Sequence, residues 1–172
     1  RGRAVTFIRA TAFQAEPIKK GKPSTVVARE LKALTRDGVE ATVRSHAKAW
    51  AHRWQPADVE IEGNPADQAA VRFSLFHLLQ SACEKPLLDV SIAAKGLHGE
   101  GYNGHIFWDT EVFMLPFFSA TDPEFARSLL MYRYRRLPAA REHARSLGYR
   151  GAQFPWQSSV TGRETTPCTA FD

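Results

Sequence analysis

The amino-acid sequence predicts an all-α architecture of paired antiparallel helices, as in a bundle or a toroid of hairpins, with one short strand at the N-terminus. Three observations lead there. Apolar residues recur at spacings of three and four through most of the chain. Helix-start signals stand in front of the apolar runs, at Asn64-Pro65, Asp122-Pro123 and Leu137-Pro138. The connections between the runs are short, which favours antiparallel neighbours. At 172 residues the chain is long enough for one domain, or one and a piece, with a sizeable core.

Residues 1–13 alternate loosely, with Val5, Phe7, Ile8 and Phe13 apolar and Thr6, Arg9 and Thr11 between them, and read as one strand. A turn follows through Glu16-Pro17. A lone strand needs partners, and no later segment reads as a convincing strand, so this piece belongs to a sheet outside the sequence or lies along the helical body. Ser24 is a candidate cap for a helix over 24–54, either one long helix or two joined near Asp37-Gly38. Its stripe runs through Val27, Leu31, Leu34, Val39, Val43, Ala47, Trp50 and Trp54, and the two tryptophans read as an anchoring face. After an extended connection at 58–62, Asn64 caps a helix predicted over 65–83 with Pro65 in its first turn. Phe73, Phe76 and Leu79 share this helix with Val71, Leu75 and Leu78, so it is apolar on more than one face and suits the inside of a helical assembly. His77 within it reads as a hydrogen-bonded core residue. Residues 84–94 form a loop with an apolar patch, and further helices are predicted over 107–118, 123–136 and 139–147, the last ended by Gly148.

Charge and composition exclude several classes. The net charge of +5 raises the question of nucleic acid, but the arginines of 127–150 are spread among Glu142, alanines and leucines rather than set with exposed aromatics. A solvated or ion-paired surface follows, and no nucleic-acid partner. No apolar window approaches the roughly 20 residues that span a bilayer, so no membrane partner is expected. Cys83 and Cys168 make neither a disulfide framework nor a metal-ligand spacing, which predicts a reducing, cytoplasmic location. The N-terminal RGRAVTFIRATAF lacks a signal-peptide core and reads as the interior of a longer chain.

The chemistry concentrates in residues 96–118. Gly96, Gly99, Gly101, Asn103 and Gly104 make a shaped loop that can approach a ligand closely. Immediately after it stand Phe107-Trp108-Asp109-Thr110-Glu111, then an apolar run broken only by Pro116. An indole can stack on a sugar face while a neighbouring carboxylate accepts hydrogen bonds from a hydroxyl pair. Spacing alone favours the plainer alternative, a core-anchoring Trp108 and a capping Asp109. Asp109 and Glu111 are two positions apart, which separates them on a helix and would put them on one face of a strand, and nothing marks them as an acid–base pair poised around one bond. His98 and His105 have no carboxylate or thiol at ligand spacing, and no metal site is expected. A second loop, Phe154-Pro155-Trp156-Gln157, carries another aromatic beside polar groups.

The segment GEGYNGHIFWDTEVFMLPFF, continued by TDPEFARSLLMYRYRRLPAAREHARSLGYRGAQFPWQS, resembles the signature region of glycoside hydrolase family 65, the maltose, trehalose and kojibiose phosphorylases with some trehalases. The resemblance implies a partial (α/α)6 toroid with a strand left from a preceding β-sandwich. The domains would then be residues 1–23 as the end of that β domain or a linker, 24–62 as a linker helix region, and 63–172 as the first part of the catalytic barrel. It implies that Trp108 and Asp109 contact the glucosyl unit, with Trp156 as a further wall of the same funnel. The family inverts at the anomeric carbon: a Glu protonates the leaving oxygen while phosphate, or water in the hydrolases, attacks from the opposite face. No residue of this chain matches that Glu, so no catalytic residue is assigned here and the chain alone is expected to be inactive. No cofactor is implied beyond inorganic phosphate as co-substrate, and the partners would be an α-linked glucose disaccharide and, in the full-length enzyme, a second copy in a homodimer. After Glu164, TTPCTAFD departs from the family pattern. A non-catalytic helical interaction module is the alternative from another class; it accounts for charge and helices but not for the loop that delivers Trp-Asp.

Overall fold

The computed structural model describes residues 5, 7–12, 23–82, 89, 91–96 and 99–167. The chain divides into two compact units, one ending at Arg53 and the other beginning at Trp54.

The first unit contains α1 (Pro23–Asp37) and most of α2 (Val39–Trp54). The apolar pattern of 24–54 thus makes two helices. Gly38 between them has φ +82°, a left-handed conformation that ends the first helical track and that glycine adopts without a side-chain penalty. Val27, Leu31 and Leu34 lie half-buried, but the stripe fails along α2, where Val43 is exposed and no residue is fully buried. Trp50 and Trp54 are half-buried, in keeping with an anchoring face. The predicted N-terminal strand is not seen: among the described residues of 1–13 there is no strand, and Val5, Phe7 and Ile8 are exposed. Alternation without a paired neighbour leaves the backbone groups to water, so the pattern alone does not make a strand. The remaining residues of that segment, the turn through 16–22, Cys83, Leu87, Leu88, Val90, His98 and Cys168 lie outside the described residues.

In the second unit, α3 (Pro65–Ser81) begins as its sequence predicts. Asn64 Oδ1 accepts from the amides of Ala66 and Asp67 at 3.0 and 3.2 Å. Gln68 holds the preceding connection, accepting from Ile61 N at 2.6 Å and donating to Val59 O at 2.9 Å. His77 sits half-buried, 2.5 Å from Gln80 and edge-on to Phe73 and Phe76. The apolar surface of α3 is not all covered, since Phe73 and Phe76 remain exposed.

The helix predicted over 107–118 starts later and differs in kind. Ile106–Phe107 is a two-residue strand, β1, and Thr110–Met114 is a π-helical turn leading into α4 (Leu115–Thr121). The wider turn, closed by Leu115 N to Thr110 O, leaves Pro116 at the start of α4, where its missing N–H costs least. Asp122 accepts from Phe125 N at 3.0 Å and opens α5 (Pro123–Arg135); α6 (Leu137–Ser146) follows. Gly148, with φ +80°, ends α6 with Tyr149 N bonded to Ala144 O at 2.9 Å and Gly148 N to Arg145 O at 3.0 Å. The core gathers where α4 crosses α5: Phe118, Phe125, Ala126 and Leu129 pack with Ala82 and Ile92. The rings of Phe118 and Phe125 meet edge to face at 4.8 Å. Finally, β2 (Gln157–Ser158) pairs antiparallel with β1, Ile106 opposite Ser158 and Phe107 opposite Gln157.

Candidate functional site

The glycine-rich loop is shaped by a run of left-handed residues: Gly101 (φ +99°), Tyr102 (+54°), Asn103 (+49°) and Gly104 (+72°). For Tyr102 that conformation costs about 1–2 kcal/mol, since a Cβ crowds its own carbonyl there. The loop is closed at its base by Ala94 N donating to His105 O at 3.1 Å. It turns the Tyr102 ring edge-on to buried Phe107 at 5.2 Å, with the Lys95 ammonium 5.6 Å from the Tyr102 ring centre.

Strand pairing then brings the two predicted aromatic loops together. Trp108 follows β1 and Trp156 precedes β2, and their ring centres lie 5.8 Å apart at 61°. The Trp108 indole N–H donates to Pro155 O at 2.8 Å, and both rings keep about half of their surface open, 44% and 50%. Thr110, buried, donates to Ile92 O at 3.0 Å and fixes the start of the π turn against the segment before the loop.

Asp109 does not cap the helix that follows, against the plainer sequence alternative. Its backbone is already helical, at φ −49° and ψ −37°, rather than extended as a cap requires, and its carboxylate makes no bond to the amides of the turn that follows. Among the described residues it makes no hydrogen bond or ion pair. Instead it lines an open cavity of about 470 Å³ with Ala94, Lys95, Tyr102, Phe107, Phe113, Met114 and Trp156. That volume lies within the range of small-molecule sites. Asp109 and Trp156 of the predicted site therefore reach one cavity, and Trp108 stands behind Trp156. Lys95, Tyr102 and Phe113 were not singled out from the sequence. Phe113 could have been, since it lies four residues beyond Asp109 on the same helical face.

Glu111 turns away from this cavity. Its Oε2 meets Arg133 Nη2 at 2.7 Å, and its buried Oε1 has no hydrogen-bond partner among the described residues. Buried Arg133 also donates to Phe107 O at 2.9 Å and, at 3.4 Å, to Ser158 Oγ, so one guanidinium on α5 supports both strands. The loop after β2 is held by Glu164, whose Oε2 accepts from Trp156 N at 2.7 Å. Partial burial pushes the Glu164 carboxyl up, but bonds from the Thr166 hydroxyl and from the amides of Thr166, Trp156 and Gln157 outweigh it and hold the group below the usual carboxylate range. His105 bonds Gln157 and Thr165 through Nδ1, and no group of three metal-ligating side chains occurs among the described residues.

Among curated proteins, the chain is 48% identical over 93% of its length to a kojibiose phosphorylase of Thermoanaerobacter brockii, of which it covers 20%. It is 56% identical over 69% of its length to an alpha,alpha-trehalose phosphorylase of Geobacillus stearothermophilus, of which it covers 15%. With a kojibiose hydrolase of Mucilaginibacter mallensis it shares 39% identity over 91% of its length, and 22% of that protein is covered. The solved chain named "Putative kojibiose phosphorylase from human microbiome" superposes with a TM-score of 0.74 at 34% identity, over 84% of this chain and 19% of that one. The chain thus spans about a fifth of the length of the curated relatives it matches first. Residues 72–172 match the glycosyl hydrolase family 65 central catalytic domain, and with more than half of its length inside that match the chain belongs to family 65.

Proposed function

We propose that this chain supplies one wall of the sugar site of an inverting disaccharide phosphorylase acting on an α-linked glucose disaccharide of the kojibiose, trehalose or maltose type. The observation that carries the reading is Asp109: a carboxylate without a protein partner among the described residues, at an aromatic-lined cavity of about 470 Å³, on a family 65 segment. Asp109 accepts hydrogen bonds from glucosyl hydroxyls, Trp156 covers a face of the ring, and Trp108 offers a second open aromatic face beside it. In the reaction, phosphate attacks the anomeric carbon from the side opposite the leaving sugar. A general acid outside this chain protonates the glycosidic oxygen, giving β-glucose 1-phosphate and the released sugar. In the whole protein the helices form part of an (α/α)6 barrel, with 1–23 and 24–62 leading into it, and the enzyme works in the cytoplasm as a homodimer. Inorganic phosphate is the co-substrate and no other cofactor is used.

A second reading, hydrolysis by water in place of phosphate, is favoured by the likeness to a kojibiose hydrolase. One experiment addresses both. Turnover of kojibiose, trehalose and maltose by the full-length protein is measured with and without phosphate, for the wild type and Asp109→Asn. Loss of one charge-assisted hydrogen bond is worth about 1.5–3 kcal/mol, roughly a 10- to 150-fold fall in kcat/KM. Phosphate-dependent turnover supports the phosphorylase and phosphate-independent turnover the hydrolase. Wild-type kinetics in Asp109→Asn would remove Asp109 from the sugar site, and no turnover of any α-glucoside would favour an interaction module.

A further inference from the structure

The Trp156 ring is held by little around it. It is 50% exposed, and its ring contacts are edge-on, to Phe107 at 6.2 Å and Trp108 at 5.8 Å. What fixes it is its backbone, and the anchor is Glu164. Oε2 accepts from Trp156 N at 2.7 Å. Oε1 accepts from Gln157 N at 3.2 Å, Thr165 N at 3.1 Å, Thr166 N at 3.0 Å and Thr166 Oγ1 at 2.6 Å. The carboxylate therefore joins Trp156 and the first residue of β2 to the segment through Thr166.

The 160–162 turn, just before Glu164, is anchored to Arg136 at the C-terminal end of α5. Arg136, buried, donates to Val160 O at 3.0 Å, and Gly162 lies so close to its stem that an added Cβ would stand 2.6 Å from Arg136 Cβ. Arg136 is fixed in turn by Asp89 at 2.8 Å and by Tyr132 O at 3.1 Å.

We propose that Glu164 is a positioning residue: tied to α5 through Arg136 and the 160–162 turn, its carboxylate grips the Trp156 backbone and sets where the Trp156 ring stands in the cavity that Asp109 also lines. The consequence for ligand binding rests on the sugar-site reading above; the positioning itself does not. The role demands a carboxylate. Every group that meets its two oxygens is a donor, and an ionised carboxylate is all acceptor. A glutamine offers one acceptor oxygen. Held on the side of Gln157, Thr165 and Thr166 by their four donors, it would turn its NH2 toward the Trp156 amide. Glu164→Gln thus breaks the grip at Trp156 first.

The test uses the full-length protein labelled with 5-fluorotryptophan, the Trp156 and Trp108 resonances being assigned by Trp→Phe replacement. Glu164→Gln is expected to shift and broaden the Trp156 signal and to leave Trp50 and Trp54 unmoved. In a binding arm with glucose as probe, Glu164→Gln weakens the wild type about tenfold, and it adds nothing in a Trp156→Ala background because the lost effect runs through that ring. An unmoved Trp156 resonance, or an equal loss of binding in both backgrounds, overturns the proposal. If glucose fails to bind even the wild type, the sugar-site reading falls while the fluorine spectra still decide the positioning. Should Glu164→Gln not fold, amide exchange of the wild type decides instead. The Trp156 N–H has no backbone acceptor among the described residues, so protection there reports the Glu164 bond, and exchange as fast as in an unstructured peptide refutes it.

Discussion

Replacing Arg133 by Met tests how the two strands beneath the site are supported. The substitution keeps most of the aliphatic stem and removes the guanidinium. It takes the only ion-pair partner from Glu111 among the described residues, and Glu111 Oε1 is already without one. Removing one member of a buried pair costs about 3–5 kcal/mol because the other charge stays behind. The Glu111 side chain keeps 21% of its surface open to water, which relieves part of that cost. Losing the bonds to Phe107 O and Ser158 Oγ adds to it, so a destabilisation of about 3 kcal/mol is expected. The second arm is Arg133→Met with Glu111→Leu. With no charge left to desolvate, the double variant should be more stable than Arg133→Met alone, with a coupling energy of about 1.5–3 kcal/mol. Urea unfolding of the full-length protein followed by tryptophan emission reads both, since Trp108 and Trp156 flank the strands that Arg133 supports. A cost under about 1 kcal/mol for Arg133→Met, or additive effects within about 0.5 kcal/mol, would refute the reasoning.

Gly162→Ala is expected to lose about 2–4 kcal/mol in the same measurement: φ is +73° there, and the new Cβ would meet an Arg136 stem that Asp89, Val160 and Tyr132 hold still. Unchanged stability would mean that Arg136 moves aside. Because the folded Glu164 titrates below its ordinary value, the unfolded chain binds the extra proton between the two. Its contribution to stability is therefore complete above the usual glutamate range and lost as pH falls through the depressed folded value. Glu142, His143 and Arg163, which line a neighbouring pocket with Glu164, and His105, bonded to Gln157 and Thr165, are the ionisable side chains near it among the described residues. The wild-type minus Glu164→Gln difference in melting temperature should accordingly shrink on acidification, and a constant difference would remove Glu164 from the linkage. Expressed alone, the 172-residue chain is expected to self-associate or bind hydrophobic dye, because Phe73, Val112, Phe113 and Tyr134 are all exposed. A compact monomer in sedimentation, without dye binding, would contradict this.

Local signals were legible, and contacts across long stretches of chain were not. Asn64, Asp122 and Gly148 act within a turn of their own positions, so residue type and spacing suffice to read them. Gly38 shows the limit of periodicity: the stripe continued across it, while the backbone it permits divides the helix. The pairing of β1 with β2 joins residues some fifty positions apart through two-residue strands, too short for any alternation to show. That pairing is what brings Trp156 beside Trp108, so the two loops could be marked as aromatic separately but not joined. The same holds for carboxylates. Asp109 and Glu111 look alike in sequence, and only the position of Arg133, one helix further on, divides them into a group facing the cavity and a group bound into the support beneath it. Glu164 stands where periodicity has faded, and its partners are mostly main-chain amides, which every residue but proline possesses. No residue type can announce such a partner; it becomes visible only when the turn is folded and the donors converge.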